Sequence, residues 1–561
     1  MTLQTLSDLK PELPQVDAVA KRYADLQSSF ANANDDAQRA AVVDQWNQLR
    51  KELDTCSNLI ELRFHQDTAN KQYKEDRDYM DSILPKLKEY AVDMMRSLLN
   101  SDHRGKLESE FGKLAFDHWE AEITTYDPVI EQDLVQQSKL ESRYIELQAS
   151  AEFEFRGEKH NMSTLNKFAE SKDREVRRQA DEMRWDWYQA NGEELDDIYD
   201  QLVKLRHGMA QKLGFENFVQ LGYKLLHRID YGQDEVAKYR QAVQEHVVPL
   251  GEKLRERQRE SLGLEKLHYW DLSLFDSLGN PAPQGDHDWM LVQAQAMFDE
   301  MSSEIGDFFK LMQKAELLDL KSRSSKAGGG FCTAFPTVGW PFIYANFNGS
   351  KGDVEVFTHE VGHALQCYLS NDKRVVDYLW PTYEACEIHS MGLEFLTWPH
   401  MEMFFGDDAE RFRQVHLTES LLFLPYGVAI DHFQHLVYES PTASPADRHE
   451  MWQEVEQRYL PWRDYGGAVY PSKGGAWQDK RHVYLSPFYY IDYTLALCCA
   501  MQFWLHAEED RSETIDRYLK LCRRGGEASF LDLVESAKLI SPFADGCLTD
   551  VVQKAAKALG V

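Results

Sequence analysis

The most constraining feature of this sequence is a helical pattern that continues through most of its 561 residues. Apolar side chains recur three and four positions apart, and Pro and Gly are sparse inside the periodic segments. A chain of this length can bury a large core and is expected to contain more than one domain. The sequence therefore predicts a mainly α-helical fold, in which the stretch up to residue 140 is helical throughout and shows no chemical motif.

The balance of charges limits the partners that such a chain can bind. It carries 62 Lys and Arg residues against 93 Asp and Glu residues, for a formal net charge of -31. A strongly acidic protein repels phosphate backbones instead of releasing counterions from them. We therefore expect no nucleic-acid partner, and we interpret the charge as a solvated surface that keeps a large protein soluble.

The cysteines and the N-terminus bear on the compartment. The eight cysteines are scattered, without the paired spacings of metal sites or redox sites. The N-terminus shows no basic stretch followed by an apolar one, and no segment approaches the roughly 20 apolar residues of a membrane helix. These features predict a cytoplasmic protein with reduced thiols and without a membrane partner.

Two short segments depart from the helical pattern. Residues 149–156 alternate between apolar and polar side chains, which predicts a strand in a hairpin or small sheet. Later in the chain, three consecutive glycines (residues 328–330) precede an aromatic-rich run at residues 342–347. This second segment predicts a loop, then a strand, then a turn.

The motif HEVGH at residues 359–363 is the clearest chemical signal. On a helix, its two histidines leave the same face and can occupy two corners of a zinc tetrahedron. An apolar stripe around the motif predicts a helix over residues 353–370. Gly362 inside that helix costs roughly 1 kcal/mol relative to Ala, so we expect the backbone of another element to approach it closely.

A catalytic zinc ion needs a third protein ligand and one open position for water. The next predicted helix, residues 383–396, offers four candidates, which are Glu384, Glu387, His389 and Glu394. Spacing alone does not choose among them. Glu387 and Glu394 are seven residues apart and share a face, so Glu394 is a candidate hydrogen-bond partner for a ligand histidine.

Several motifs together resemble a known family. These are HEVGHALQ, the glutamate of EIHSMGLEF 24 residues after His363, the loop GGGFCTAFP, the strand PFIYANFNGS, the segment at residues 474–496, and the C-terminal SFLDLVESAKLISPF. They resemble the thimet-oligopeptidase and oligoendopeptidase F family of zinc metallopeptidases, and the oligoendopeptidase F branch in particular. Because the resemblance runs from about residue 140 to the end, we predict an N-terminal helical region at 1–140 and a catalytic region at 141–561.

The resemblance implies a fold, a cofactor and a set of catalytic residues. The fold would be almost wholly helical, with two lobes around a deep substrate channel and a small β element near the active site. One Zn²⁺ per chain would be held by His359, His363 and Glu387, and Glu360 would take the proton from the zinc-bound water.

The resemblance also implies that the segment at residues 474–496 contacts the scissile carbonyl and its oxyanion. We assign this role to His482, Tyr490 and Tyr493, and we expect the neighbouring Tyr484 and Tyr489 to be aromatic core contacts instead. Removing one hydrogen-bond donor to the oxyanion typically costs roughly a hundredfold to a thousandfold in turnover.

A narrow channel excludes folded proteins, so the implied substrates are short unstructured oligopeptides cut at internal bonds. The predicted substrate-binding residues are Gly329, Gly330, Tyr344 and Asn346. The glycine loop would close over the peptide, and the strand at 342–347 would pair with it main chain to main chain.

Two alternatives stay open at this point. A zinc carboxypeptidase or dipeptidyl carboxypeptidase of similar fold would mark itself by a cationic clamp for the substrate carboxylate, for which Lys473, Lys480 and Arg481 are candidates. A non-catalytic, peptide-binding helical protein would have kept the architecture and lost the chemistry, and the intact Glu360 argues against it.

Overall fold

The computed structural model describes residues 5–323 and 325–561. Its described residues form 24 α-helices and five short strands, so the predicted mainly helical fold is confirmed. Internal contacts divide the chain into two compact units of three stretches each. Unit 1 comprises Met1–Pro128, Ala282–Ala409 and Cys499–Leu539. Unit 2 comprises Val129–Pro281, Glu410–Cys498 and Ile540–Val561.

The first stretch of unit 1 is entirely helical. Its helices are α1 (Val16–Ala31), α2 (Asp36–Gln66), α3 (Lys71–Leu99), α4 (Arg104–Phe111) and α5 (Lys113–Thr124). The two long helices begin at side-chain caps, since Asp35 accepts a hydrogen bond from the backbone N–H of Gln38 and Asn70 accepts one from that of Gln72. Their apolar faces share one core with α1, α4 and α5.

The first stretch of unit 2 contains the predicted hairpin. Its elements are α6 (Glu131–Ala149), β1 (Phe153–Phe155), β2 (Glu158–His160), α7 (Met162–Asn166), α8 (Arg174–Lys212), α9 (Phe218–Leu225), α10 (Gln233–His246) and α11 (Val248–Ser261). Strands β1 and β2 pair antiparallel, and Phe153 and Phe155 are buried while Glu154 is exposed. The two-residue turn at Arg156-Gly157 has positive φ at both positions, as tight hairpin turns require. The alternation in the sequence therefore predicted this hairpin correctly, but the strand begins at Phe153, because Ala149 is still the last residue of α6.

The second stretch of unit 1 contains a small three-stranded sheet. Its elements are α12 (His287–Met301), α13 (Ser303–Lys314), β3 (Leu318–Lys321), β4 (Phe331–Phe335), β5 (Trp340–Phe347), α14 (Lys351–Leu369), α15 (Tyr383–Leu396) and α16 (Glu402–Phe405). The strand order is β3-β5-β4, with β3 parallel and β4 antiparallel to β5. The sheet packs against α14, which carries the HEVGH motif.

The position of β5 corrects one prediction. The run at residues 342–347 is a strand, as predicted, but it is the central strand of the sheet. Tyr344 is opposite Asp319 of β3 on one side and Phe331 of β4 on the other. Because both edges of β5 are already paired, the prediction that this strand pairs with an extended substrate is wrong.

The remaining helices complete both units. They are α17 (Ala409–Glu439), α18 (Pro445–Tyr459), α19 (Val469–Ser472), α20 (Arg481–Leu485), α21 (Tyr490–Glu509), α22 (Arg511–Arg524), α23 (Phe530–Ser536) and α24 (Cys547–Leu559). Short 3₁₀ turns lie at Leu6–Asp8, Pro128–Ile130, Lys167–Glu170, Tyr269–Asp271, Val376–Tyr378, Trp398–His400, Gly406–Asp408 and Gly475–Asp479. Within the described part of the chain, no helix is both long and apolar enough to cross a membrane.

Candidate metal centre

The start of α14 is fixed by hydrogen bonds across the preceding turn. Ser350 occupies the N-cap position, and the carboxylate of Asp353 accepts hydrogen bonds from the backbone N–H groups of Asn348 (2.9 Å) and Gly349 (2.7 Å). A carboxylate in the first turn also complements the positive end of the helix. The helix therefore begins within two residues of its predicted start and carries the motif in its central turns.

The side chains of His359, His363 and Glu387 converge on one point. Nε2 of His359 lies 3.2 Å from Oε2 of Glu387, and Nε2 of His363 lies 3.4 Å from the same oxygen. One ligand atom from each of the three residues lies within 4.8 Å of the others. Helix α15, which supplies Glu387, has the predicted bounds. Of the four residues that spacing left open on α15, the geometry selects Glu387.

A zinc ion fits this set of donor atoms. Ligands about 2.0–2.2 Å from a tetrahedral zinc ion are roughly 3.3–3.6 Å apart, and the two His–Glu distances are close to that separation. Two imidazoles and one carboxylate are also a ligand set of catalytic zinc sites, which keep a fourth position for water.

The electrostatics of the centre favour a bound cation. Burial opposes ionisation of Glu387, but His363 and His359 hold the pKa of its carboxyl well below the usual range. Burial also opposes protonation of His359, but Glu387 and Glu394 raise the pKa of its imidazole well above the usual range. These carboxylates therefore stabilise positive charge at the point where the ligand atoms meet.

Two further residues of α15 hold the ligands in place. Nδ1 of His359 lies 2.7 Å from Oε1 of Glu394, so the proton on Nδ1 is donated to the carboxylate and Nε2 is left to bind a metal. The predicted hydrogen bond of Glu394 with one of the two motif histidines is thus confirmed. The hydroxyl of Ser390 donates to Oε2 of Glu387 at 2.8 Å. This serine was not predicted, and its only signal in the sequence is its position three residues after Glu387.

Glu360 lies beside the two histidines in a buried position. Its side chain is 7% exposed, and its Oε2 atom has no hydrogen-bond partner among the described residues. Burial raises the pKa of this carboxyl, although His359 and His363 oppose the shift. A buried carboxylate with a free lone pair and a raised pKa is suited to accept a proton near neutral pH.

Gly362 sets the distance between the two helices of the centre. A Cβ atom at this position would lie 2.5 Å from the carbonyl oxygen of His389 and 2.6 Å from Cα of Ser390. The predicted close approach of another backbone is therefore confirmed, and that backbone belongs to α15. Gly362 allows α14 and α15 to pack closely enough for Glu387 to reach both histidines.

The predicted substrate-binding residues belong to the loop before β4 and to β5. Tyr344 is buried and its hydroxyl donates to the carbonyl of Ala327 at 2.6 Å, and Nδ2 of Asn346 donates to the carbonyls of Ala327 (2.8 Å) and Gly329 (2.9 Å). Both side chains therefore brace the glycine loop. A Cβ atom on Gly330 would lie 3.8 Å from Oε1 of Glu360, so this loop borders the candidate base. The role of the four residues in binding substrate stays a prediction.

The predicted oxyanion residues form a cluster of rings in unit 2. The His482 ring centroid lies 5.1 Å from that of Tyr490 and 5.9 Å from that of Tyr493, and the two tyrosine rings are 5.7 Å apart. Tyr484 is fully buried and its ring centroid lies 4.0 Å from that of Tyr144, as expected for a core aromatic. Tyr489 is only half-buried and its ring centroid lies 4.8 Å from that of Tyr493, so it belongs to the cluster and not to the core. The structure thus brings His482, Tyr490 and Tyr493 together, and their contact with the oxyanion stays a prediction.

Comparison with known proteins identifies the family. Residues 167–552 match peptidase family M3, and residues 6–126 match the peptidase M3 N-terminal domain. The first match alone covers more than half of the chain.

Three individual proteins illustrate what this chain is similar to. A PZ peptidase A solved with an inhibitor is 45% identical, with a TM-score of 0.96 over 99% of both chains. A protein described as an oligoendopeptidase F from Bacillus anthracis is 41% identical, with a TM-score of 0.92 over 100% of this chain and 99% of the other. An oligoendopeptidase F homolog from Borreliella burgdorferi is 21% identical over 391 residues, which span 66% of this chain and 62% of the relative's length. The chain therefore belongs to peptidase family M3, and its predicted resemblance to the oligoendopeptidase F branch is confirmed.

Proposed function

We propose that this chain is a zinc-dependent endopeptidase that hydrolyses internal bonds of short, unstructured oligopeptides. The observation that carries the proposal is the convergence of His359, His363 and Glu387 on one point, with the buried carboxylate of Glu360 beside them. Membership of a peptidase family supports peptides as the substrates.

His359, His363 and Glu387 would hold one zinc ion per chain. Their ligand atoms have the spacing and the chemistry of a catalytic zinc site, and Glu394 and Ser390 orient two of them. Zinc in such a site supplies Lewis-acid chemistry, which polarises a carbonyl oxygen and makes a water molecule acidic enough to lose a proton near neutral pH.

Glu360 is proposed as the general base. It takes the proton of the attacking water and then delivers it to the leaving amine, so one carboxylate serves both halves of the reaction. Its burial, its raised pKa and its unpartnered Oε2 atom support this role.

The outer edge of β4 is proposed as the strand that pairs with the substrate. Strand β4 is an edge strand of the sheet and follows directly after Gly330, which borders Glu360. Nδ2 of Asn58 donates to the carbonyl of Ala334 at 2.9 Å, so this end of the edge is covered. Alternate residues of a strand present their backbone N–H and C=O groups to the same edge. The backbone groups of Cys332 therefore point to the outer edge of β4, as those of Ala334 do. Main-chain pairing there would bind extended peptides with little selection by side chain.

The roles of His482, Tyr490 and Tyr493 as donors to the developing oxyanion are proposed on the family resemblance. A histidine and two tyrosines supply N–H and O–H donors of the kind that stabilise such a charge. A cytoplasmic location is likewise proposed on the cysteine pattern alone.

Cleavage of end-blocked, internally quenched peptides tests the proposal. An endopeptidase cuts such peptides at internal bonds, whereas a carboxypeptidase or dipeptidyl carboxypeptidase needs a free C-terminus. We expect cleavage that stops when a chelator removes the metal and returns when zinc is added at about one equivalent. Cleavage of free-ended peptides only would refute the endopeptidase assignment, and activity that persists without metal would refute the zinc assignment.

A further inference from the structure

Unit 2 contains a cavity of about 350 Å³ whose wall is rich in cationic and aromatic side chains. A cavity of this size lies in the range that binds small organic ligands. The cationic and phenolic side chains in this wall include Arg184, Arg255, Arg463, Lys480, Tyr269 and Tyr426. They come from α8, α11 and α17 and from the segments around Tyr269, Arg463 and Lys480, so the cavity is assembled from distant parts of the chain.

Three of the four arginines in the wall have carboxylate partners. Arg177 forms an ion pair with Asp271 at 2.7 Å. Arg184 forms ion pairs with Asp181 and Asp479, each at 3.0 Å. Arg463 forms one with Glu456, also at 3.0 Å. These three cations are therefore compensated by the protein itself.

Arg255 is different, because its partners are neutral. It donates to Oε1 of Gln258 at 2.6 Å and to the carbonyl of Leu272 at 2.9 Å, and it has no carboxylate within ion-pair distance among the described residues. Glu419 also lines the cavity but does not reach it at that distance. The Nε atom of Arg255 is buried and has no hydrogen-bond partner within residues 5–323 and 325–561. Burial, with repulsion from Arg463, lowers the pKa of Arg255 to about 9. The wall thus holds a guanidinium without a direct carboxylate partner, which only the longer-range attraction of Glu419 compensates.

Two tyrosine rings hold the neighbouring cations in place. The Arg463 guanidinium lies 4.9 Å from the Tyr426 ring centroid and 5.5 Å from that of Tyr269, and Nζ of Lys480 lies 5.3 Å from the Tyr426 centroid. Such contacts stabilise a cation and keep it oriented. The rings also offer apolar surface to the body of an organic ligand.

We propose that this cavity binds a small organic carboxylate, with Arg255 as the partner of the carboxylate group. A guanidinium presents parallel N–H donors that match the two oxygens of a carboxylate. Lys480 lines the same cavity and shares Asp479 with Arg184, so it is a second cation within the wall. The carboxylate has two sources around a peptidase, which are a free amino acid and the C-terminus of a peptide. This binding does not depend on the hydrolysis proposed above.

Isothermal titration of the Glu360→Gln protein, in which hydrolysis is suppressed, tests the proposal. The probes are N-acetyl-phenylalanine and N-acetyl-Ala-Ala-Phe, each as the free acid and as the amide. We expect the acids to bind and the amides to bind at least tenfold more weakly. If N-acetyl-phenylalanine binds as tightly as the longer acid, the natural ligand is a free amino acid. If only the longer acid binds, the natural ligand is the C-terminus of a peptide. Equal binding of acids and amides, or displacement of the acids by chloride or phosphate at equal concentration, would overturn the proposal.

Variants of the cavity wall separate this site from any other peptide site. Arg255→Gln should weaken binding of the acids roughly tenfold to a hundredfold, as expected for the loss of charged hydrogen bonds. Arg259→Gln is the matched control, because Arg259 lies on the same helix, pairs with Glu256 and does not line the cavity. If Arg255→Gln fails to fold, Lys480→Gln should weaken the same binding. Wild-type affinity in a folded variant of either residue would refute the site.

Discussion

Replacing Gly362 with Ala tests the packing on which the metal centre depends. The added Cβ would lie 2.5 Å from the carbonyl oxygen of His389, whereas ordinary contacts begin at about 3.4 Å, so α14 and α15 must separate by about 0.9 Å. Alanine gains roughly 1 kcal/mol of helix propensity over glycine, and overpacking costs about 1–3 kcal/mol. The net loss in the free energy of unfolding should therefore be only about 0–2 kcal/mol.

The effect on activity should be much larger than the effect on stability. A shift of about 1 Å moves Glu387 away from His359 and His363, and misplacement on that scale can cost roughly a hundredfold in rate. We expect Gly362→Ala to lose about that factor in kcat/KM and to bind zinc more weakly, as measured by peptide cleavage and by competition with a chelating dye.

A second glycine provides the control for this variant. Gly208 lies within α8, and a Cβ atom there would meet no other atom within 4 Å. Gly208→Ala should keep wild-type activity and gain up to about 1 kcal/mol of stability. If Gly362→Ala also kept wild-type activity and zinc affinity, the reasoning from helix packing to metal geometry would be refuted.

Three further predictions concern single side chains. Glu394→Gln should lower zinc affinity roughly tenfold to a hundredfold, because the carboxylate that orients His359 is lost, and an unchanged affinity in dye competition would contradict this. Tyr493→Phe should lower kcat roughly a hundredfold to a thousandfold with little change in KM, and wild-type turnover would remove this residue from the oxyanion proposal. Burial, with Arg240, lowers the pKa of His432 to about 4. The unfolded chain takes up this proton near pH 6.5, whereas the folded chain takes it up only near pH 4. The free energy of unfolding should therefore fall by about 1–2 kcal/mol as the pH drops from about 6.5 towards 4, since partial exposure of the ring screens the shift. His432→Phe should flatten this part of the pH–stability profile, and an unchanged profile would assign it to other groups.

Local features of the structure could be predicted from the sequence because short-range chemistry determines them. The bounds of α15 follow from an apolar stripe, and the hairpin at β1 and β2 follows from strict alternation. Gly362 lowers the stability of its helix, which predicted that another backbone approaches it closely. In the structure, that backbone is α15.

Long-range features could not be predicted in the same way. The partner β3 is only four residues long, so its alternation of Leu with Asp and Lys is too short to identify a strand or its pairing with β5, and the central position of β5 was missed. Spacing left four ligand candidates on α15 because only the placement of α14 against α15 distinguishes them. Of the cavity around Arg255, the sequence pointed only to Lys480 as a candidate partner for a carboxylate, since the rest of the wall is collected from segments that are far apart in the sequence.

The most direct test of the central claim is the Glu360→Gln variant, measured for zinc content and for cleavage of an end-blocked peptide. Glu355→Gln is the control, because Glu355 lies one turn before His359 on the same helix and its carboxylate accepts a hydrogen bond from Lys351. We predict that Glu360→Gln keeps one zinc ion per chain and loses roughly a hundredfold to ten-thousandfold in rate, while Glu355→Gln cleaves at nearly the wild-type rate. Undiminished cleavage by Glu360→Gln with zinc in place would contradict the account.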